Sequence, residues 1–135
     1  NRVPDLCTAR IDIRVVPPAA ARQVIEAAVS AVDGVEWADC QIEKTGEALD
    51  TAQDSPVVQA AVECARSLKI DSRVVGLRGW TEAESFATGL GIDAIVLGPG
   101  SMEQAHSSDE FVSISQTQLA ADLYVRIVER LCGSE

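Results

Sequence analysis

Six consecutive residues, Ile92-Asp93-Ala94-Ile95-Val96-Leu97, and the Gly98-Pro99-Gly100 break behind them most limit what this chain can fold into. A short, nearly continuous apolar run bounded by turn residues marks a strand buried on both faces. Such a strand needs a sheet, and helices on each side of that sheet. The flanking sequence supplies helical patterns. Ser55 suits an N-cap and Pro56 the first helical position. Behind them Val58, Ala61, Val62, Ala65 and Leu68 recur at helical spacing. Thr81 with Glu84, and Ser115 with Gln118, carry the S/T-x-x-E/Q spacing of a capping box. Gly89 and Gly91 close the first of these helices, and Leu119, Leu123, Ile127 and Leu131 stripe the second. Residues 72–76 add a short strand. Residues 50–135 therefore read helix–strand–helix–strand–loop–helix, the order of a three-layer α/β domain with a parallel or mixed sheet.

The first 46 residues follow a different plan. Ile11, Ile13 and Val15 alternate with Arg10, Asp12 and Arg14, which predicts a half-buried strand over residues 9–16. Pro17 and Pro18 end it and can open a helix. Ala21, Val24, Ile25, Ala28, Val29 and Val32 then form one apolar stripe, and Asp33-Gly34 closes that helix. Residues 37–43 alternate again, with Ala38, Cys40 and Ile42 inward. Strand–helix–strand is a piece of a small α+β sandwich. Residues 45–54 are polar and separate the two domains, 1–46 and 50–135.

Composition narrows the function. Only 4% of residues are aromatic against 47% hydrophobic, so the core must be aliphatic. A net charge of -10 repels phosphate backbones, which argues against nucleic acid as a partner. No apolar run approaches the roughly 20 residues of a membrane helix. The four cysteines show no C-x-x-C spacing. Cys7, Cys40 and Cys64 read as small core residues, which fits a reducing, cytoplasmic compartment. The absence of an initial Met and the strand pattern within the first residues suggest a cut rather than a natural N-terminus.

His106 is the only histidine. It follows the buried strand on a glycine-flanked loop, the place where α/β sheets gather ligands. An imidazole there can bind metal or move protons, or be an ordinary loop residue. Asp109 and Glu110 can orient it, or form an exposed acidic turn. Gly98-x-Gly100 lacks the third glycine of a dinucleotide fingerprint, and no G-x-S-x-G nucleophile elbow is present. Asp12 and Arg14 are either a surface ion pair or, on the functional reading, a guanidinium fork that clamps a carboxylate.

The string Gly98-Pro99-Gly100-Ser101-Met102-Glu103-Gln104-Ala105-His106-Ser107-Ser108-Asp109-Glu110 resembles the last metal-binding loop of the acetylornithine deacetylase, succinyl-diaminopimelate desuccinylase and carboxypeptidase G family of zinc metallohydrolases. Gly79-Trp80-Thr81-Glu82-Ala83 resembles that family's Thr/Ser-Asp/Glu-Ala segment. Asn1-Arg2-Val3-Pro4, Ile11-Asp12-Ile13-Arg14 and Pro17 resemble its inserted lid. The resemblance implies the end of a three-layer α/β zinc-hydrolase catalytic domain over residues 50–135. Residues 1–46 would be the second half of an α+β sandwich lid, which also makes a homodimer.

By the same resemblance His106 is a ligand to one of a pair of zinc ions, with cobalt as a possible substitute. Asn1 and Arg14 hold the substrate carboxylate, and Thr81 with Gly98, Gly100 and Ser101 lines the pocket. The substrate is an N-acyl amino acid, N-acetylornithine first among them, hydrolysed by metal-activated water. Catalytic zinc needs about three protein ligands, and this chain offers one imidazole and no general base matching the family's. The isolated polypeptide is therefore expected to be inactive. The alternative is a non-catalytic dimerisation or interaction module.

Overall fold

The computed structural model describes residues 3–133. They form two units, Asn1–Ala48 and Leu49–Glu135, each with its own helices. Among the described residues no helix is long and apolar enough to cross a membrane.

The first unit is built on helix α1, Ala21–Val32. Its apolar stripe turns inward: Ala21 is buried, and Val24, Ile25, Ala28, Val29 and Val32 are half-buried. Ala20 stands at the N-cap position without a side-chain acceptor. Glu47 supplies one instead, its Oε2 accepting the Ala21 N–H at 3.1 Å. That carboxylate both satisfies an orphan amide and sits at the positive end of the helix dipole. At the other end the Asp33 N–H bonds to Val29 O, and Gly34 turns away at φ +85°. Only glycine takes that conformation without strain.

The two strands expected around α1 are not formed. Residues 9–16 and 37–43 have no ladder. Ile11, Ile13 and Cys40, which the alternation places inward, are exposed, and so is Cys7, expected as a small core residue. The physical reason is that strand alternation pays off only when neighbouring backbone supplies hydrogen bonds and a face to bury. Here the two segments are joined by an exposed ion pair, Arg10 to Glu43 at 3.2 Å.

The second unit contains α2 (Pro56–Ser67), α3 (Ala83–Leu90) and α4 (Ile114–Cys132). Helices α2 and α4 pack on each other. Ala60, Ala61, Cys64 and Ala65 of α2 meet Leu123 and Ile127 of α4, and Leu68, Ile70 and Ile95 close the edge. Small residues on one helix against large ones on the other let the axes approach closely. Burying Leu123 and Ile127 stabilises by about 1.5–3 kcal/mol each. Arg130 of α4 pairs with Glu63 of α2 at the rim.

The helix starts differ from the sequence reading in detail. Pro56 opens α2, but the Ser55 hydroxyl is buried without a partner and caps nothing. Proline's fixed φ starts this helix rather than a side-chain bond. At α3, Thr81 Oγ1 accepts the Ala83 N–H at 3.3 Å, but Glu84 does not return to complete a capping box. Its carboxylate is buried and accepts from Thr88 Oγ1 at 3.0 Å, one turn further on. Gly91, at φ +65°, ends α3, while Gly89 lies inside it. Helix α4 begins with Ser113 at the N-cap position, not Ser115, and is two residues longer at its start as a result. Leu123 and Ile127 of its predicted stripe are buried with Ala120, whereas Leu119 and Leu131 are exposed.

Residues 72–76 and 92–97 form no strand either, so the expected layering of helices about a sheet is not formed among the described residues. Ile92 and Val96 are about half exposed, and only Ala94 and Ile95 are partly buried. A run apolar on both faces needs strands on both edges, and no described segment pairs with it. Side chains take its backbone groups instead: Thr51 Oγ1 donates to Ala94 O, and the Tyr124 hydroxyl donates to Leu97 O at 2.8 Å.

Candidate functional site

The loop that follows residue 97 is shaped by two residues in left-handed backbone. Gly100 has φ +94° and His106 has φ +63°. For glycine this costs little; for histidine it is uncommon, and is seen where surroundings hold it. Between them the chain folds on itself. Ser101 Oγ accepts the Glu103 N–H at 3.2 Å, and Ser101 O accepts the Gln104 N–H at 3.0 Å. Gln104 O then accepts both the N–H and the hydroxyl of Ser107, at 3.2 and 2.7 Å. The result is a run of tight turns that leaves His106 exposed.

Glu110 secures the histidine's backbone: its Oε2 accepts the His106 N–H at 3.0 Å. The expectation that acidic residues orient the imidazole is therefore corrected for Glu110, which holds the main chain rather than the ring. Asp109 is exposed beside it. Together with Glu103, these carboxylates make the loop locally acidic, which suits a cation. Among the described residues, no three His, Cys, Asp or Glu side chains gather as a metal-binding cluster. The imidazole is exposed and flanked by carboxylates, surroundings in which a cation could be held.

The other predicted site residues are scattered. Gly98, Gly100 and Ser101 share the His106 loop, and all three are exposed. Thr81 is half-buried at the entry to α3; among the described residues no hydrogen bond joins it to that loop. Arg14 lies in the first unit and grips Asp12 Oδ2 through Nε at 3.3 Å and Nη2 at 3.1 Å. Both side chains are more than half exposed, so the pair has the geometry of a surface ion pair. Asn1 lies outside the described residues.

Three side chains at the loop were not among the expected site residues, although Gln104 lies within the string that resembles the family's loop. Tyr124 reaches the Leu97 carbonyl from α4, and Gln116 Oε1 accepts the Gly100 N–H at 3.3 Å. Gln104 Oε1 is buried without a partner beneath the turns. Only the placement of Gln116 in the first turn of α4 could have drawn attention to it. One titration shift stands apart from the loop: hydrogen bonds from the Arg73 guanidinium and backbone hold the Asp71 carboxyl below its ordinary value.

Compared with known proteins, residues 4–130 match the family described as peptidase family M20/M25/M40. A Mycobacterium tuberculosis protein assigned as a succinyl-diaminopimelate desuccinylase is 32% identical over 128 residues, 93% of this chain and 34% of the relative. The N-acetyl-L-citrulline deacetylase of Xanthomonas campestris pv. campestris is 47% identical over 49 residues, 36% of this chain and 13% of that protein. A Thermococcus kodakarensis protein assigned as a LysW-lysine/LysW-ornithine hydrolase is 31% identical over 81 residues, 60% of this chain and 24% of its own length. The chain thus spans about a third of the length of the first of these relatives. No solved structure gives a significant match.

Proposed function

The chain belongs to peptidase family M20/M25/M40, and on that premise we propose that it is part of a metal-dependent amidohydrolase that removes the acyl group from an N-acyl amino acid. The observation that carries this reading is His106, the chain's only imidazole, presented exposed on a tightly turned acidic loop. The names of two relatives, a desuccinylase and a deacetylase, support removal of an acyl group from an amino acid. N-acetylornithine is the substrate favoured here, because the residue 98–110 string resembles that branch of the family.

His106 would hold one ion of a metal pair, with zinc the first choice and cobalt a substitute; the rest of its ligands and the general base lie outside this chain. When bound, such metals polarise the amide carbonyl and lower the pKa of water. The chain's own residues bind and orient. Arg14 presents a planar fork suited to the substrate carboxylate, and Asn1 would be a second donor to it. Arg14 must first leave Asp12. An exposed ion pair of this kind contributes no more than about 1 kcal/mol, so the exchange is easy. Thr81 and the backbone of Gly98, Gly100 and Ser101 would line the substrate pocket, where small residues let main-chain amides come close. Holding the amide at fixed distance from the attacking oxygen is the chain's contribution to rate.

On this reading residues 1–46 are lid and pair two subunits, and residues 50–135 complete the catalytic domain. Unpaired thiols at Cys7, Cys40, Cys64 and Cys132 are consistent with a cytoplasmic setting. The isolated chain, with one imidazole, binds zinc weakly and does not turn over.

The test compares the full-length enzyme with its His106→Ala variant. Metal content and hydrolysis of N-acetylornithine, N-acetylcitrulline and N-succinyl-diaminopimelate are measured in both. Loss of about one metal per subunit together with activity is expected. Full metal content and undiminished activity in the variant would falsify the assignment. A second reading, a non-catalytic module that pairs through residues 1–46, draws on the exposed Leu6, Ile11, Val16 and Trp37. Deacylase activity in the full-length protein decides against it.

A further inference from the structure

The segment that leads into the His106 loop is fastened to the second unit at successive points. Thr51 Oγ1 donates to Ala94 O, and Ile95 packs against the core between α2 and α4. The Tyr124 hydroxyl donates to Leu97 O at 2.8 Å, and Gln116 Oε1 accepts the Gly100 N–H at 3.3 Å. The last two anchors both stand on α4. They are eight residues apart, roughly 12 Å along a helix axis. The three residues from Leu97 to Gly100 reach at most roughly 10 Å when extended. The two spans nearly match, and the order of contacts runs opposite to α4: the earlier loop residue meets the later helix residue. The chain is thus fastened to the helix at two points just before the turns that carry His106.

Neither bond belongs to a cap or a ladder. Gln116 lies on the same face of α4 as Ala120, Leu123 and Ile127, one turn before the first of them, and Tyr124 flanks that face; both are exposed. Helix packing does not require a hydroxyl or an amide at those places. Gly98 fits the same arrangement, because a Cβ there would lie 3.5 Å from the Tyr124 oxygen, in contact with the anchoring group.

We propose that Tyr124 and Gln116 are positioning residues for the His106 loop, so that α4 sets where the imidazole stands. The metal role of His106 is the reading on which this rests; the bracing itself is separate and separately measurable. Because His106 is the only histidine, its ring gives a single imidazole signal in NMR spectra of this chain. Two quantities are followed: hydrogen exchange of the Gly100 amide, and the His106 ring signal with and without added zinc.

Tyr124→Phe removes only the hydroxyl, Gln116→Leu removes the acceptor, and Gln116→Glu keeps an acceptor. Loss of either bond is expected to speed Gly100 exchange roughly three- to tenfold. It should also shift or broaden the His106 signal and weaken its response to zinc by a similar factor. Gln116→Glu should restore both, with helix content unchanged throughout. Unchanged exchange in both loss variants overturns the brace. Faster exchange with an unmoved His106 signal and zinc response overturns the positioning role and leaves the metal reading standing. A wild-type ring that shows no response even to a large excess of zinc overturns this inference, while the metal reading is judged separately by the metal content of the full-length His106→Ala variant. Should Tyr124→Phe fail to fold, the exposed Gln116 pair decides alone.

Discussion

Replacing His106 with glycine or with alanine separates the loop's backbone geometry from its chemistry. Both substitutions delete the imidazole, and both keep the backbone N–H that Glu110 accepts at 3.0 Å. They differ in what φ +63° costs. An L-residue held in left-handed backbone loses about 1–2 kcal/mol relative to the right-handed form, and alanine bears this as histidine does. Glycine escapes it but loses about 0.5–1 kcal/mol through its freer unfolded chain. The exposed ring has little packing to lose, and surface changes of that kind stay within about 0.5 kcal/mol. His106→Gly should therefore be as stable as wild type or slightly more so. His106→Ala should fall about 1 kcal/mol below His106→Gly, which for a domain of this size is about 4 °C in Tm. Urea unfolding followed by circular dichroism measures the difference. Equal stability of the two variants, or an advantage for alanine, would show that the loop does not hold residue 106 in left-handed backbone. On the proposed function both variants lose metal equally in the full-length enzyme, so binding and stability should move independently.

Three further outcomes follow from the same geometry. Leu123→Ala should destabilise the second unit by about 3–5 kcal/mol, because Leu123 is only 3% exposed and its neighbours Ala60, Ala61 and Ala65 are too short to fill the space; a loss under about 1 kcal/mol in thermal unfolding would contradict this packing. Arg14→Ala should change stability by less than about 0.5 kcal/mol, since its pair with Asp12 is exposed, yet raise the KM of the full-length enzyme for N-acyl amino acids; unaltered kinetics would remove its carboxylate role. Asp71 should titrate by NMR below 3.8, and Arg73→Ala should move it only part of the way back, because the backbone N–H of residue 73 still donates to Asp71 Oδ1. Its folded pKa is depressed, so the contribution is present above 3.8 and is lost as pH falls through the lower folded value; a midpoint at or above 3.8 in the wild-type chain would deny the pair.

The sequence by itself determined where helices form and which loop is proposed for the chemistry. The stripe from Ala21 to Val32, the Ser55-Pro56 start and the Leu123–Ile127 pair are local periodicities, and a helix satisfies its backbone within its own segment. The residue 98–110 string is equally local, since its turns are closed by its own serines, Gln104 and Glu110. What only the tertiary structure decided involves partners far along the chain. Alternation at residues 9–16 and 37–43, and the apolar run at 92–97, cannot become strands without neighbours to bond them, and none is found among the described residues. Glu47 capping α1, Glu84 turning from Thr81 to Thr88, and Tyr124 and Gln116 reaching back to Leu97 and Gly100 have no spacing that announces them. Each is a polar group choosing among several reachable partners, and packing, rather than pattern, makes that choice.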